Sequence, residues 1–186
     1  MELYSTTVAA FGYDDCPGHP AWLEPVEWLG GERAERFPLH MMSGQPAGKL
    51  HSQMDQGSVS QATKIDGREP VMIHPADAKA RGVSDGELVR VFNDRGALLG
   101  AAQLSENIRP GVVRVSTGSW YDPEDYAVPG AMDKHGNPNV LTPDRGTSRL
   151  AQGPTAHSAL VEVERFDGDA PEVTAFKPPA FADRAG

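Results

Sequence analysis

The amino-acid sequence predicts a mainly β fold, a small β-barrel with short helices, and three observations carry that expectation. The 186 residues include 20 glycines and 16 prolines, too many chain-breakers for a helical bundle and in keeping with many turns between short strands. Several short runs alternate apolar and polar side chains, or stay apolar between turn signals, while one stretch alone has the punctuation of a helix. The stretch 117–157 has no periodicity. An irregular connection of about 40 residues inside a compact domain is unusual enough to be read as functional.

Taken in order, residues 1–36 carry mixed signals. Val8-Ala-Ala-Phe11 is apolar, Gly12 to Pro20 is a turn cluster, and two large aromatics follow, Trp22 and Trp28. Such an opening reads as a linker segment that lies on something else, and it implies an exposed apolar patch where nothing covers it. Phe37–Ser43 has strand character, and Lys49–Met54 alternates like a second strand. The Gly-, Ser- and Gln-rich stretch 55–63 reads as a loop. Pro70–His74 is a short buried strand. Pro75–Arg81 is a helix, with proline in its first turn and Gly82 at its C-cap. Glu87–Phe92 alternates with period two, Asn93-Asp-Arg-Gly96 turns the chain, and Ala97–Leu104 returns. After the Arg109-Pro-Gly111 turn come Val112–Ser116 and, beyond the long loop, Ser158–Phe166. Residues 167–186 are polar with Pro171, Pro178 and Pro179, and are expected to form a flexible tail. The expected division is therefore a linker over 1–36, a barrel over 37–166 and a tail over 167–186.

Composition removes several functions. The formal net charge is −9, which opposes the basic face that duplex nucleic acid requires. No run approaches 18 apolar residues, so no membrane-spanning helix is expected. The opening residues lack a basic and then apolar run, so no secretory leader is expected at this end. One cysteine, Cys16, allows no internal disulfide. The six histidines contain no pair spaced i, i+4 and there is no CxxC, so no metal-ligand set is expected. Phosphate loops of the GxGxxG and GxxxxGK[ST] kinds are absent, as is a GxSxG elbow. Gly57-Ser58 and Gly118-Ser119 formally suit a self-cleaving pyruvoyl-type barrel, but such pairs are common in loops.

Polar residues held in short fixed runs stand out instead. Ser43-Gly-Gln45 and His51-Ser-Gln53 offer hydrogen-bond donors and acceptors at the ends of two expected strands. They suit a neutral heterocycle such as a pterin, or they merely cap strands. Gly136-Asn-Pro-Asn-Val-Leu-Thr142, Asp144-Arg-Gly-Thr-Ser148 and Leu150-Ala-Gln-Gly153 collect amides and a carboxylate in one loop. These can read a purine edge while glycines admit a phosphate, or they form ordinary Asx turns. Gly118-Ser-Trp-Tyr-Asp-Pro123 places an aromatic pair after a strand, suited to core packing or to walling a planar ligand.

These runs occur in one order in a known family. Ser43-Gly-Gln, Leu50-His-Ser-Gln53, His74-Pro-Ala-Asp-Ala-Lys-Ala-Arg-Gly-Val83, Asp85-Gly-Glu-Leu-Val-Arg-Val91, Asn93-Asp-Arg-Gly96, Trp120-Tyr-Asp-Pro123, Asn139-Val-Leu-Thr142 and Gly146 to Gly153 together resemble the C-terminal molybdopterin-dinucleotide-binding domain of the dimethyl sulfoxide reductase superfamily. The likeness is strongest to trimethylamine-N-oxide and biotin sulfoxide reductases, and it spans about residues 3–166. It implies a double-psi β-barrel with short helices and a long irregular loop. It implies a bis(molybdopterin guanine dinucleotide) molybdenum cofactor in the full-length enzyme. Ser43, His51, Ser52, Gln53, Trp120, Asn139 and Gln152 would hold that cofactor, with no catalytic or metal-ligating residue in this chain. Family enzymes are several times longer, so the chain resembles the last domain of an S-oxide or N-oxide reductase whose upstream domains are its partners. Alone, it is expected to be inactive. The rival from another class is a cofactor-free double-psi barrel acting as an interaction module.

Overall fold

The computed structural model describes residues 3–153 and 155–178. Among these, six strands close a barrel: β1 (Leu39–Met42), β2 (Pro70–Ile73), β3 (Leu88–Phe92), β4 (Ala97–Leu104), β5 (Val112–Val115) and β6 (Ala159–Arg165). The order around the barrel is β1-β5-β2-β4-β3-β6. Two ladders are parallel, β1 with β5 and β2 with β4, and the other four are antiparallel. These interlocked parallel pairs make it a double-psi barrel, with no free sheet edge.

The alternation in the strands sets the core. Leu39 and Met41, Val71 and Ile73, Val89 and Val91, Val113 and Val115, Val161 and Val163 point inward and are buried. β-branched side chains pack well on such a pleated inner face. β4 departs from alternation, being buried from Ala97 to Ala102. The long loop covers its outer face: the Leu99 N–H donates to the Asp133 carbonyl at 2.8 Å, and the Asp133 N–H to the Ala97 carbonyl at 3.0 Å. That explains the small residues of this outer face, Ala97 and Ala101, while Gly100 and Ala102 face the core, where a Cβ on Gly100 would meet Val71.

Among the described residues there are three short α-helices, α1 (Thr6–Ala9), α2 (Ser58–Gln61) and α3 (Pro75–Ala80). In α3, Pro75 occupies the first turn, His74 Nδ1 accepts from the Ala76 N–H at 3.1 Å, and Gly82 follows at φ 64°. Ala78 anchors the helix in the core.

Two elements differ from the sequence expectation. The stretch 55–63 read as a loop contains α2. Residues 49–54 form a tight turn instead of a strand. Leu50 and Gln53 exchange backbone hydrogen bonds, and His51 and Met54 adopt left-handed φ values of 49° and 65°. The apolar members, Leu50 and Met54, are exposed, because the charged residues on either side, Lys49 and Asp55, are the ones drawn inward.

The two flanking segments touch the barrel at defined points. Glu27 is buried, receiving the Leu160 N–H at 2.7 Å and Arg95 at 2.5 and 3.1 Å. Around that anchor Phe11, Trp22, Val26, Trp28 and Leu29 remain exposed, Trp22 at 83%. Beyond β6, Thr174 and Phe176 lie against the long loop, while residues 179–186 of the expected tail fall outside the described residues.

Burial ranks the consequences of truncation. Leu98 is fully enclosed, whereas Leu88 is half-buried and faces outward. Leu98→Ala is expected to destabilise by about 3 kcal/mol, and Leu88→Ala by clearly less. Urea unfolding of both variants measures the difference, and equal losses would contradict this assignment of the strand faces.

Candidate functional site

Four charged side chains, from the turns around α2 and the entry to β2, are buried side by side. Lys49 Nζ lies 3.0 Å from Asp55 and 2.8 Å from Glu69, and Lys64 Nζ lies 3.0 and 3.1 Å from the same two carboxylates. All four are at most 4% exposed. The remaining lone pairs are used as well. Ser60 Oγ donates to Asp55 at 3.1 Å, Ser119 Oγ to Glu69 at 2.9 Å, and the Trp120 N–H to Asp55 Oδ2 at 3.0 Å. A buried ion pair holds only when its charges balance and its spare hydrogen-bonding capacity is filled, and both conditions are met here.

This quartet fixes the loops that carry the polar runs. Trp120 is held at three atoms: its N–H by Asp55, its carbonyl by the His135 Nδ1–H at 2.9 Å, and its indole N–H by the Ser52 carbonyl at 2.7 Å. Because a carbonyl only accepts, His135 carries its proton on Nδ1. Burial, with the Lys64 charge behind it, pushes the His135 pKa down and keeps the ring neutral. Gln45 braces the turn, accepting the His51 N–H at 3.1 Å and donating to the Lys49 carbonyl. Gly118, at φ 99°, passes so close to His51 that a Cβ would sit 1.7 Å from its carbonyl oxygen; only glycine fits there.

A second buried carboxylate shapes the long loop. Asp133 accepts the N–H groups of His135, Gly136 and Asn137 on one oxygen and that of Asp122 on the other, at 2.7–3.0 Å. Burial pushes its pKa up, and the four donors pull against that. Asn137 then receives the Asn139 N–H at 3.0 Å. Leu141 is buried in the core, with its carbonyl taken by Asn93 and Arg95. The loop is irregular and at the same time pinned.

Between the turn and the loop opens a cleft of about 730 Å³. Ser43, His51, Ser52, Trp120 and Asn139 line it together, so five of the seven residues singled out in the sequence meet in one hollow. Gln53 and Gln152 are not among its lining: Gln53 closes the turn with Leu50 through its backbone, and Gln152 donates to the Ser148 carbonyl at 2.8 Å within its own turn. Thr117, Ser119, Tyr121, Asn137, Thr142 and His157 also line the cleft. Asn137 and Thr142 were visible in the Gly136–Thr142 run, and Ser119 and Tyr121 in the Gly118–Pro123 run. Thr117 and His157 had no sequence signal, since single hydroxyls and imidazoles occur everywhere.

The charge of this lining is its chief property. In a chain of net charge −9, the walls contain no carboxylate and no lysine or arginine; hydroxyls, amides, imidazoles and an indole make them up. A second cavity, about 650 Å³, shares Pro143 and His157 with the first and is edged by Asp15, Glu24 and Arg145. Among the described residues, no group of three or more His, Cys, Asp or Glu is placed to hold a metal ion, and no helix is long and apolar enough to cross a membrane.

Barrel topology and an acid-free, donor-rich cleft at the end of its strands define a binding domain for a polar, planar ligand. The chain belongs to the family described as "Molydopterin dinucleotide binding domain", whose model matches residues 39–160, within the dimethyl sulfoxide reductase superfamily. It is 49% identical over 176 residues to "Trimethylamine-N-oxide reductase 1" of Escherichia coli (strain K12), covering 94% of this chain and 21% of that protein. It is 46% identical to "Dimethyl sulfoxide/trimethylamine N-oxide reductase" of Cereibacter sphaeroides, covering 98% of this chain and 22% of that one. Among solved structures, acetylene hydratase from Pelobacter acetylenicus matches with a TM-score of 0.71 at 20% identity, over 89% of this chain and 23% of that chain, a likeness of fold. The chain thus spans about a fifth of the length of the curated relatives it matches.

The quartet has a pH signature. Burial would raise the Asp55 pKa, but hydrogen bonds from Lys49 and the Trp120 N–H and the Lys64 charge outweigh it and bring it from 3.8 to about 2. A depressed carboxylate stabilises the fold above its ordinary range, and that contribution is lost as pH falls through the folded value. The stability gap between the wild-type chain and Asp55→Asn is therefore expected to shrink as pH drops from 3.8 towards 2. Urea unfolding at stepped pH measures it; a gap that stays constant would contradict the assignment.

Proposed function

We propose that this chain serves as the cofactor-holding last domain of a molybdenum reductase that takes oxygen from S-oxides or N-oxides. The acid-free cleft is the observation that carries the reading. A pyrophosphate-linked pterin repels carboxylates and asks for neutral donors, and the lining of Ser43, His51, Ser52, Thr117, Ser119 and Asn139 offers these. When bound, the molybdenum cofactor supplies oxygen-atom transfer and the two-electron chemistry. The residues of this chain bind it, orient it and keep water from its pterin face, and Trp120 gives that face a flat wall. The adjoining cavity suits the nucleotide, for a carboxylate such as Asp15 or Glu24 can accept both N–H groups of a guanine edge. In this reading residues 1–36, with Trp22, Trp28 and Leu29 exposed, pack on the upstream domains. Those domains account for the remaining length of the relatives and carry the substrate pocket.

Binding tests the reading. Molybdopterin guanine dinucleotide extracted from a related reductase should bind the chain, and His51→Ala and Asn139→Ala should each weaken it about tenfold, or about 1.4 kcal/mol. Their urea midpoints should stay near that of the wild type. Calorimetric titration showing no binding, or equal affinity in all three proteins, would contradict it. With a reduced viologen dye and trimethylamine N-oxide, the chain by itself should show no turnover.

A further inference from the structure

We propose that the segment 171–177 is a strap that positions Trp120, with Phe176 and Thr174 as its two fixing residues. The segment lies outside the part of the chain that the family model matches, residues 39–160, and its composition suggested a loose tail. Its contacts are specific. The Thr174 N–H and hydroxyl both donate to the carboxylate of Asp122, each at 2.6 Å. Asp122 is fully buried, with Lys134 3.3 Å away, and Lys134 also donates to Thr174 Oγ1 at 3.0 Å. Arg68 donates to the Pro171 carbonyl. Residues 171–174 are thereby tied to the base of the long loop, two positions from Trp120 in sequence.

Fixing Thr174 delivers Phe176. Its ring centre stands 5.2 Å from that of Trp120 and 5.1 Å from that of His135, edge-on to the imidazole. Those distances are in the range where aromatic pairs attract. Trp120 is a wall of the cleft, and its indole reaches across to the Ser52 carbonyl. The hydrogen bonds fix its backbone and one ring nitrogen, but they do not stop the ring from tilting about that nitrogen. Phe176 packs on the ring and supplies the missing contact. The strap thus acts on the cleft through Trp120 and does not line it: neither Thr174 nor Phe176 is among the lining residues. For its effect on cofactor binding, though not for its effect on the ring, the proposal rests on the function proposed above.

Hydrogen exchange at the indole N–H of Trp120 tests the strap without any ligand. In the full chain, uniformly labelled with ¹⁵N, Phe176→Ala should speed exchange of that N–H at least tenfold. The Trp22 and Trp28 indoles and the backbone amides of β2 and β5 should keep their wild-type rates. Phe176→Tyr, which keeps the ring, should restore slow exchange, and Thr174→Val should fall between. If Phe176→Ala does not fold, Phe176→Leu carries the same comparison. Unchanged indole exchange in the folded variant, or acceleration shared equally by the barrel amides, overturns the proposal. A second arm separates it from the cofactor reading. Failure of the wild-type chain to bind extracted molybdopterin guanine dinucleotide overturns that reading and leaves the exchange result to decide on the strap. Where the wild type binds, equal affinity of Phe176→Ala overturns the strap's role in the cleft.

Discussion

Two lysines and two carboxylates in a closed square carry the geometry of the cleft. Lys49, Lys64, Asp55 and Glu69 come from four places: the end of the 44–49 approach, the turn after α2, the turn before it, and the entry to β2. Their mutual attraction is strong because water is excluded, and for the same reason removing one member leaves an uncompensated buried charge, at about 3–5 kcal/mol. The square is thus both glue and gauge. It accepts the backbone N–H of Trp120 and the hydroxyl of Ser119, so the segment after β5 sits at one height relative to the turn that bears His51 and Ser52. A hydrophobic plug of equal volume would hold the barrel closed but would not set that register.

The cleft is built almost wholly from irregular backbone, and the barrel explains how that is possible. Closed strands provide a rigid rim, and each loop is nailed to it by a buried polar residue: Asp133 for residues 133–137, Asn93 for Leu141, Glu27 for the N-terminal segment. Buried carboxylates that gather several backbone N–H groups do for these loops what ladder hydrogen bonds do for strands. A ligand rich in hydrogen-bonding edges then meets groups already held in place, which lowers the ordering cost of binding it.

Much of this was legible in the residues. Period-two alternation in Leu88–Phe92 and the turn Asn93-Asp-Arg-Gly96 announce a hairpin from local physics alone, and Pro75 with Gly82 marks both ends of α3. The double-psi closure came from resemblance to a family, since pairing order is set by non-local contacts that no short window contains. The turn at 49–54 was misread because Leu50 and Met54 alternate with polar neighbours as strand residues do. The decisive feature there is the burial of Lys49 and Asp55, and charged residues read from sequence are expected outside. Ser43, His51, Ser52, Trp120 and Asn139 were visible as polar or aromatic residues at element ends. Gln53 and Gln152 had the same chemistry, but the structure turns them elsewhere. Phe176 was hidden for another reason: a lone aromatic among prolines and charges gives no sign of the Trp120 ring across from it.

In the proposed function the acid-free hollow holds the pterin and the adjoining cavity holds the nucleotide. Titrating extracted molybdopterin guanine dinucleotide into the ¹⁵N-labelled chain and mapping the amide shifts tests this placement. Ser52, Thr117, Trp120 and Asn139 should shift together, along with the rim of the adjoining cavity at Arg145 and His157. Shifts confined to the far wall at β3 and β6, or no shift at all, would contradict it.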